Sequence, residues 1–167
     1  MAIQYIPYQA INKIKWDAAI HRAPNGLIYA TSAYLDAMAE EWDALILNDY
    51  EMVMPLTWRK KYGIYYLYQP FCTACLGVFG TSINASIVND FLSAIPAKFK
   101  YWDFYLNHQN RFQLQDFILY ERINYILPLN DTYENIKAKY RESLVRNIKK
   151  STQQIGYVQQ DISIEQV

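Results

Sequence analysis

The chain has 167 residues, 52% of them apolar and 19% charged. That is enough for a domain with a real core and too apolar for a disordered tail. Sixteen Lys and Arg balance sixteen Asp and Glu, which excludes a generic polyanion binder acting through bulk charge but leaves room for a local basic patch. Two cysteines exclude a disulfide framework, and five glycines with six prolines exclude collagen-like or low-complexity repeats. The outlier is aromatic content: 16 Tyr, 7 Phe and 4 Trp.

Residues 3–6 read as a short strand. A helix follows from Asn12, whose side chain suits an N-cap, to Arg22, with Trp16, Ala19 and Ile20 on one side. Pro24-Asn25-Gly26 signals a turn. Ser32 caps a second helix to about Glu41, with Asp36 placed in its first turn, where the helix dipole favours an anion. Ala44–Leu47, Glu51–Trp58 and Ile64–Tyr68 then form a meander of antiparallel strands, with turns at Asn48-Asp49-Tyr50 and Lys60-Lys61-Tyr62-Gly63. Residues 71–82 form an irregular loop holding both cysteines. Ile83, Ile87, Phe91 and Ile95 recur every four residues, an amphipathic helix stopped by Pro96.

Phe99–Leu106 alternates as a strand, His108-Gln109-Asn110 is turn-like, and two further strands are expected at 112–119 and 122–128. Asp131 and Glu134 give a capping-box-like start to a helix reaching Tyr140. Ser143 caps another, ended by Gly156, before a last strand over Tyr157–Ile162. The order predicts a mixed α/β (α+β) domain with a largely antiparallel sheet. Residues 1–130 read as one unit, and 131–167 as a helix pair and strand opening a second, incomplete one.

The N-terminus lacks a charged region followed by an apolar run, so no signal peptide is expected. No stretch approaches the ~18 apolar residues of a membrane span. The expectation is a cytoplasmic protein with reduced cysteines, no membrane span and no DNA partner.

Chemistry concentrates in residues 137–150. Lys137, Lys139, Arg141, Arg146, Lys149 and Lys150 face one acid, Glu142, so the remainder of this neutral chain is net acidic. At 100° per residue, Leu144, Ile148 and Ile155 share one helix face with Val145 at its edge, while Arg146, Lys150 and Gln153 lie opposite. One stripe is therefore expected to be buried and the other to present a guanidinium fork and ammonium charges suited to phosphate or carboxylate. On pattern alone, a solvated basic face is the commoner meaning of such a run.

The string Arg146-Asn147-Ile148-Lys149-Lys150-Ser151, followed by Gly156-Tyr157-Val158, resembles a motif of the Fem-type ligases and related acyltransferases of the GNAT-like acyl-CoA N-acyltransferase superfamily. Ser151 stands where that family usually has Ala, and Arg146 and Asn147 are adjacent where the family pattern separates them. Trp16, Pro24-Asn25-Gly26 before a Tyr-rich helix, and Met54-Pro55-Leu56 leading to Gly63 and Tyr68-Gln69-Pro70 also look like the N-terminal half of such proteins.

The resemblance implies two tandem GNAT-like units that transfer an acyl or aminoacyl group to an amine. This chain would supply the first, non-catalytic unit. Arg146, Asn147, Lys149 and Lys150 would contact a phosphate-bearing small-molecule ligand. An acyl-CoA or aminoacyl-tRNA donor would serve the full-length protein. The implied partners are a second GNAT-like half or a second copy of the chain. The Gly-rich pyrophosphate turn of a GNAT site is missing among the five glycines, so the chain alone is not expected to bind a cofactor.

Other candidates read more plainly. Cys72 and Cys75 have redox or metal spacing, but no good helix start follows Cys72, and a zinc site would need two more ligands, with His21 and His108 the only conceivable partners. No metal site is therefore assigned. No nucleophile elbow, Walker or dinucleotide fingerprint occurs. Tyr62, Tyr65, Tyr66 and Tyr68 cluster around one strand, with Tyr66 and Tyr68 on one face and Tyr65 on the other, as sheet packing favours. A Tyr-rich edge also allows the alternative of a stand-alone, non-catalytic binding or assembly module.

Overall fold

The computed structural model describes residues 2–153, and its contacts divide the chain after Tyr120. The first unit is built on a six-stranded mixed sheet. Its strands are β1 (Ile3–Ile6), β2 (Glu41–Leu47), β3 (Met52–Lys61), β4 (Ile64–Tyr68), β5 (Phe79–Gly80) and β6 (Phe99–Asp103). The order is β1-β2-β3-β4-β6, with β5 pairing the start of β3. All neighbours are antiparallel except β4 and β6. A parallel pair cannot be closed by a tight turn, and residues 69–98, which include helix α3 (Ala85–Ser93), make the crossover. The β4–β6 register slips between Tyr65 and Tyr66, where Lys100 is the extra residue of β6.

β2 shows why the sheet is covered on both sides. Every residue of it after Glu41 is buried, as expected of a strand packed on two faces. Trp42, Ala44 and Ile46 enter one core with Trp16, Ile20, Leu35, Val53 and Phe79. Leu45 and Leu47 enter the other with Met54, Leu56, Leu67, Val88, Phe91 and Phe99. Helix α1 (Lys13–Arg22) is capped by the Asn12 carboxamide, which accepts the Lys15 N–H at 3.1 Å, and buries Trp16, Ala19 and Ile20 as their spacing predicts. Gly63 (φ +81°) and Tyr62 (φ +50°) form the two-residue turn between Lys61 and Ile64, where a hairpin needs two left-handed residues.

Several expected details fall elsewhere. Helix α2 (Ser32–Met38) is capped by Thr31, not Ser32, whose N–H and hydroxyl both donate to Asp17, at 2.7 and 2.6 Å. Asp36 lies beyond the first turn of α2 and instead accepts from Lys13 Nζ and Trp42 Nε1, at 2.6 and 3.1 Å. No strand forms over 112–119 or 122–128. In the first of these, Phe112, Leu114 and Phe117 pack on the second core, with Phe117 stacked on Trp102. Alternation there serves packing, without ladder pairing. Ile123, Tyr125, Ile126 and Leu127 in the second are exposed.

The loop after β4 is more ordered than its composition implies. Leu76 bridges Leu106, and three buried asparagines hold Val78 between them. The Val78 carbonyl accepts from Asn25, Asn107 and Asn110 at 2.9, 3.1 and 3.0 Å, and the Val78 N–H donates to Asn110 Oδ1 at 2.7 Å. Gly77 (φ +100°) is required here, because a Cβ would lie 2.3 Å from that same oxygen. Asn110→Ala leaves the Val78 N–H buried and unsatisfied, so chemical denaturation should show a loss of about 2–3 kcal/mol.

The second unit contains α4 (Tyr133–Ala138) and α5 (Glu142–Thr152). Thr132, not Asp131, caps α4, while Asp131 accepts from the Thr132 N–H and the Asn135 carboxamide, both at 2.8 Å. Arg141, not Ser143, is the cap residue of α5. Gly156 and the expected strand 157–162 lie outside the described residues.

Candidate functional site

Helix α5 carries all four residues singled out from the sequence. Arg146 and Lys150 stand one turn apart on one face, Lys149 lies on the next row, and Asn147 flanks the apolar stripe. Among the described residues none of the three cations has a hydrogen-bond or ion-pair partner. The Ser151 and Thr152 hydroxyls turn back onto the Ile148 and Lys149 carbonyls at 2.8 and 2.9 Å. The apolar stripe is not buried as expected: Leu144, Val145 and Ile148 are 37–44% exposed. An eleven-residue helix with few apolar positions covers nothing unless another surface meets it. Glu142 in the first turn and Lys149 and Lys150 in the last also complement the helix dipole. Chemically, this face can hold an anion.

Upstream, Asp131 is held below the usual carboxylate range by hydrogen bonds from Asn135, Thr132 and Lys139. That fixes the start of α4 and adds no reactive group.

The segment before α3 does not fit an acyl-CoA pyrophosphate, which needs outward backbone N–H groups. The Val78 and Gly80 N–H groups donate inward to Asn110 and Asn25, at 2.7 and 3.2 Å, and Asn84 Oδ1 accepts the Ile87 N–H of the first turn of α3 at 3.0 Å. Among the described residues of the first unit, one concavity of about 180 Å³ lies beside Ile3, Leu47 and Phe91 and another of about 160 Å³ beside Tyr8, Asp36 and Trp42. Both are smaller than ordinary ligand pockets.

Cys72 is exposed, and its carbonyl accepts from the Tyr34 hydroxyl at 2.6 Å. Burial pushes the Cys75 thiol up, away from the thiolate that redox or metal chemistry uses. His21 and His108 are exposed, and no metal-binding group of side chains occurs among the described residues. No helix among the described residues is long and apolar enough to cross a membrane.

Sequence reasoning passed over one cluster. Tyr5 donates its hydroxyl to Asp43, a carboxylate buried in β2. Burial, then the hydrogen bond and negative charge of Asp43, push the Tyr5 hydroxyl well above the ordinary phenol value of 10.0. The folded state therefore keeps a proton that the unfolded chain releases. This contribution to stability is complete below pH 10.0 and is lost as pH rises beyond it. Thermal unfolding followed upward through that pH should fall less steeply in Tyr5→Phe than in the wild type. Asp36 behaves oppositely. Burial raises it, but hydrogen bonds from Lys13 and Trp42 outweigh that and hold it below 3.8, so its contribution is present above that pH and lost in acid.

No family model matches the chain, and neither a curated protein nor a solved structure matches it.

Proposed function

We infer that this chain is the N-terminal, non-catalytic unit of a Fem-type or related GNAT-like N-acyltransferase, which transfers an acyl or aminoacyl group to an amine. The observation that carries the reading is the architecture. A mixed, mostly antiparallel sheet flanked by helices is the fold class expected from the sequence, and it supports the reading. In the reaction a neutral amine attacks an activated acyl carbonyl, and positioning supplies most of the acceleration. Arg146, Lys149 and Lys150 act as anion contacts, and Asn147 offers a carboxamide to a ligand amide. The catalytic base and the donor site belong to the rest of the enzyme.

The test is a transfer assay on the full-length protein with labelled acyl-CoA and aminoacyl-tRNA donors and small amine acceptors. Transfer that falls on Arg146→Ala/Lys150→Ala supports the reading, and absence of transfer from either donor opposes it. One observation favours the second reading, a stand-alone binding or assembly module. In the second unit Ile123, Tyr125, Ile126, Leu127 and Leu129 form a run of exposed large apolar residues along the chain, the kind of surface that partners cover. Sedimentation of a dimer closing over residues 137–158 would mark that alternative.

A further inference from the structure

Lys98, in the turn before β6, directs its ammonium across the end of the sheet. Its Nζ lies 4.8 Å from the ring centres of Tyr5 and Phe99, 5.5 Å from that of Trp58 and 5.7 Å from that of Tyr65. All four are within reach of a cation–ring attraction. It donates a 2.6 Å hydrogen bond to the Tyr5 hydroxyl and sits 3.6 Å from Asp43 Oδ2. The Asp43 side chain is 5% exposed and also accepts the Tyr8 N–H at 3.0 Å. These groups come one from each strand of the main sheet: Tyr5 from β1, Asp43 from β2, Trp58 from β3, Tyr65 from β4 and Phe99 from β6. Trp58 packs on both Tyr65 and Phe99, with ring centres 5.5 and 6.3 Å apart, so these walls support one another without the lysine.

We propose that the cage of Tyr5, Trp58, Tyr65 and Phe99 over Asp43 is a recognition site for a primary alkylammonium group, with Lys98 as its internal occupant. The polar groups at the cation are one hydroxyl and one carboxylate, a set that suits a compact ammonium better than a planar guanidinium fork. When Lys98 leaves, buried Asp43 keeps its hydrogen bonds from the Tyr5 hydroxyl and the Tyr8 N–H but loses the cation beside it, so the site draws another. The Lys98 side chain is 39% exposed and ends a flexible stem, so it can leave without moving the backbone. While tethered it competes at high effective concentration, which makes it a gate against weak amines. The site does not depend on the acyltransferase reading, although an amine is the acceptor that reading requires.

The experiment titrates Lys98→Ala with n-butylammonium and with Nα-acetyl-lysine amide, following indole fluorescence, with Trp58→Phe to assign the signal. Saturable binding at least about tenfold tighter than in the wild type is expected, and it should vanish on adding Asp43→Asn. Tighter binding of the lysine amide assigns a polypeptide side chain, and tighter binding of butylammonium a free amine. A folded Lys98→Ala variant that binds neither probe overturns the proposal. If that variant does not fold, NMR of the wild type decides. A ring-current-shifted Lys98 ε-methylene that butylammonium displaces, once in excess over the tether's effective concentration, supports the site, and one that is unshifted or still in place at that excess overturns it.

Discussion

Trp16→Ala is expected to lower the stability of the first unit by about 3–5 kcal/mol, the range for deleting a fully buried tryptophan. Trp16 has no exposed surface. It packs against Trp42 with ring centres 5.1 Å apart, and its indole N–H donates to the Ala30 carbonyl at 2.8 Å. The substitution thus removes the post on which α1 and β2 meet and leaves a buried carbonyl without its donor. Urea denaturation of the variant should show the shift in midpoint without a change in slope. Trp16→Phe keeps most of the volume and should recover the larger share.

Arg146→Ala/Lys150→Ala is the second change with a large expected effect. It should weaken binding of a phosphate-bearing ligand roughly 10- to 100-fold, since a hydrogen bond to a charged group contributes about 1.5–3 kcal/mol and exposure reduces that. The fold should be untouched, because both side chains are exposed and neither has a partner among the described residues. Lys149→Ala alone should have a smaller effect, one row away on the helix. Each loss should shrink as salt is raised, as screening of exposed charges demands.

Trp16 and Arg146 mark the two ends of what could be read from the sequence. The α1 face was legible because Trp16, Ala19 and Ile20 recur at helical spacing after an Asn cap. The meander was legible because β2 to β4 are short apolar runs broken by turn residues, and the Tyr62-Gly63 turn has the left-handed residues its length demands.

The asparagine clasp was not legible. Asn107 and Asn110 look like turn residues, and only the folded chain brings Asn25 to the same carbonyl across 53 positions. The strands expected over 112–119 and 122–128 failed for a related reason. Alternation of apolar residues states which side chains want cover, but a strand also needs a neighbouring edge, and the first segment found its cover on the second core instead. The cage around Lys98 was invisible because each of its members, taken singly, is an ordinary strand aromatic or surface lysine. Helix α5 was legible as a charged helix, whereas the burial expected for its apolar stripe required a partner surface that spacing does not report.

The most direct measurement is calorimetric titration of inorganic pyrophosphate, at low ionic strength, into the wild type and two variants of equal charge loss. One is Arg146→Ala/Lys150→Ala on α5, the other Lys60→Ala/Lys61→Ala on the β3–β4 hairpin. A specific anion face on α5 predicts that binding is lost in the first variant and kept in the second. Equal loss in both, or no loss in either, would reduce that helix to a solvated basic surface and contradict the account.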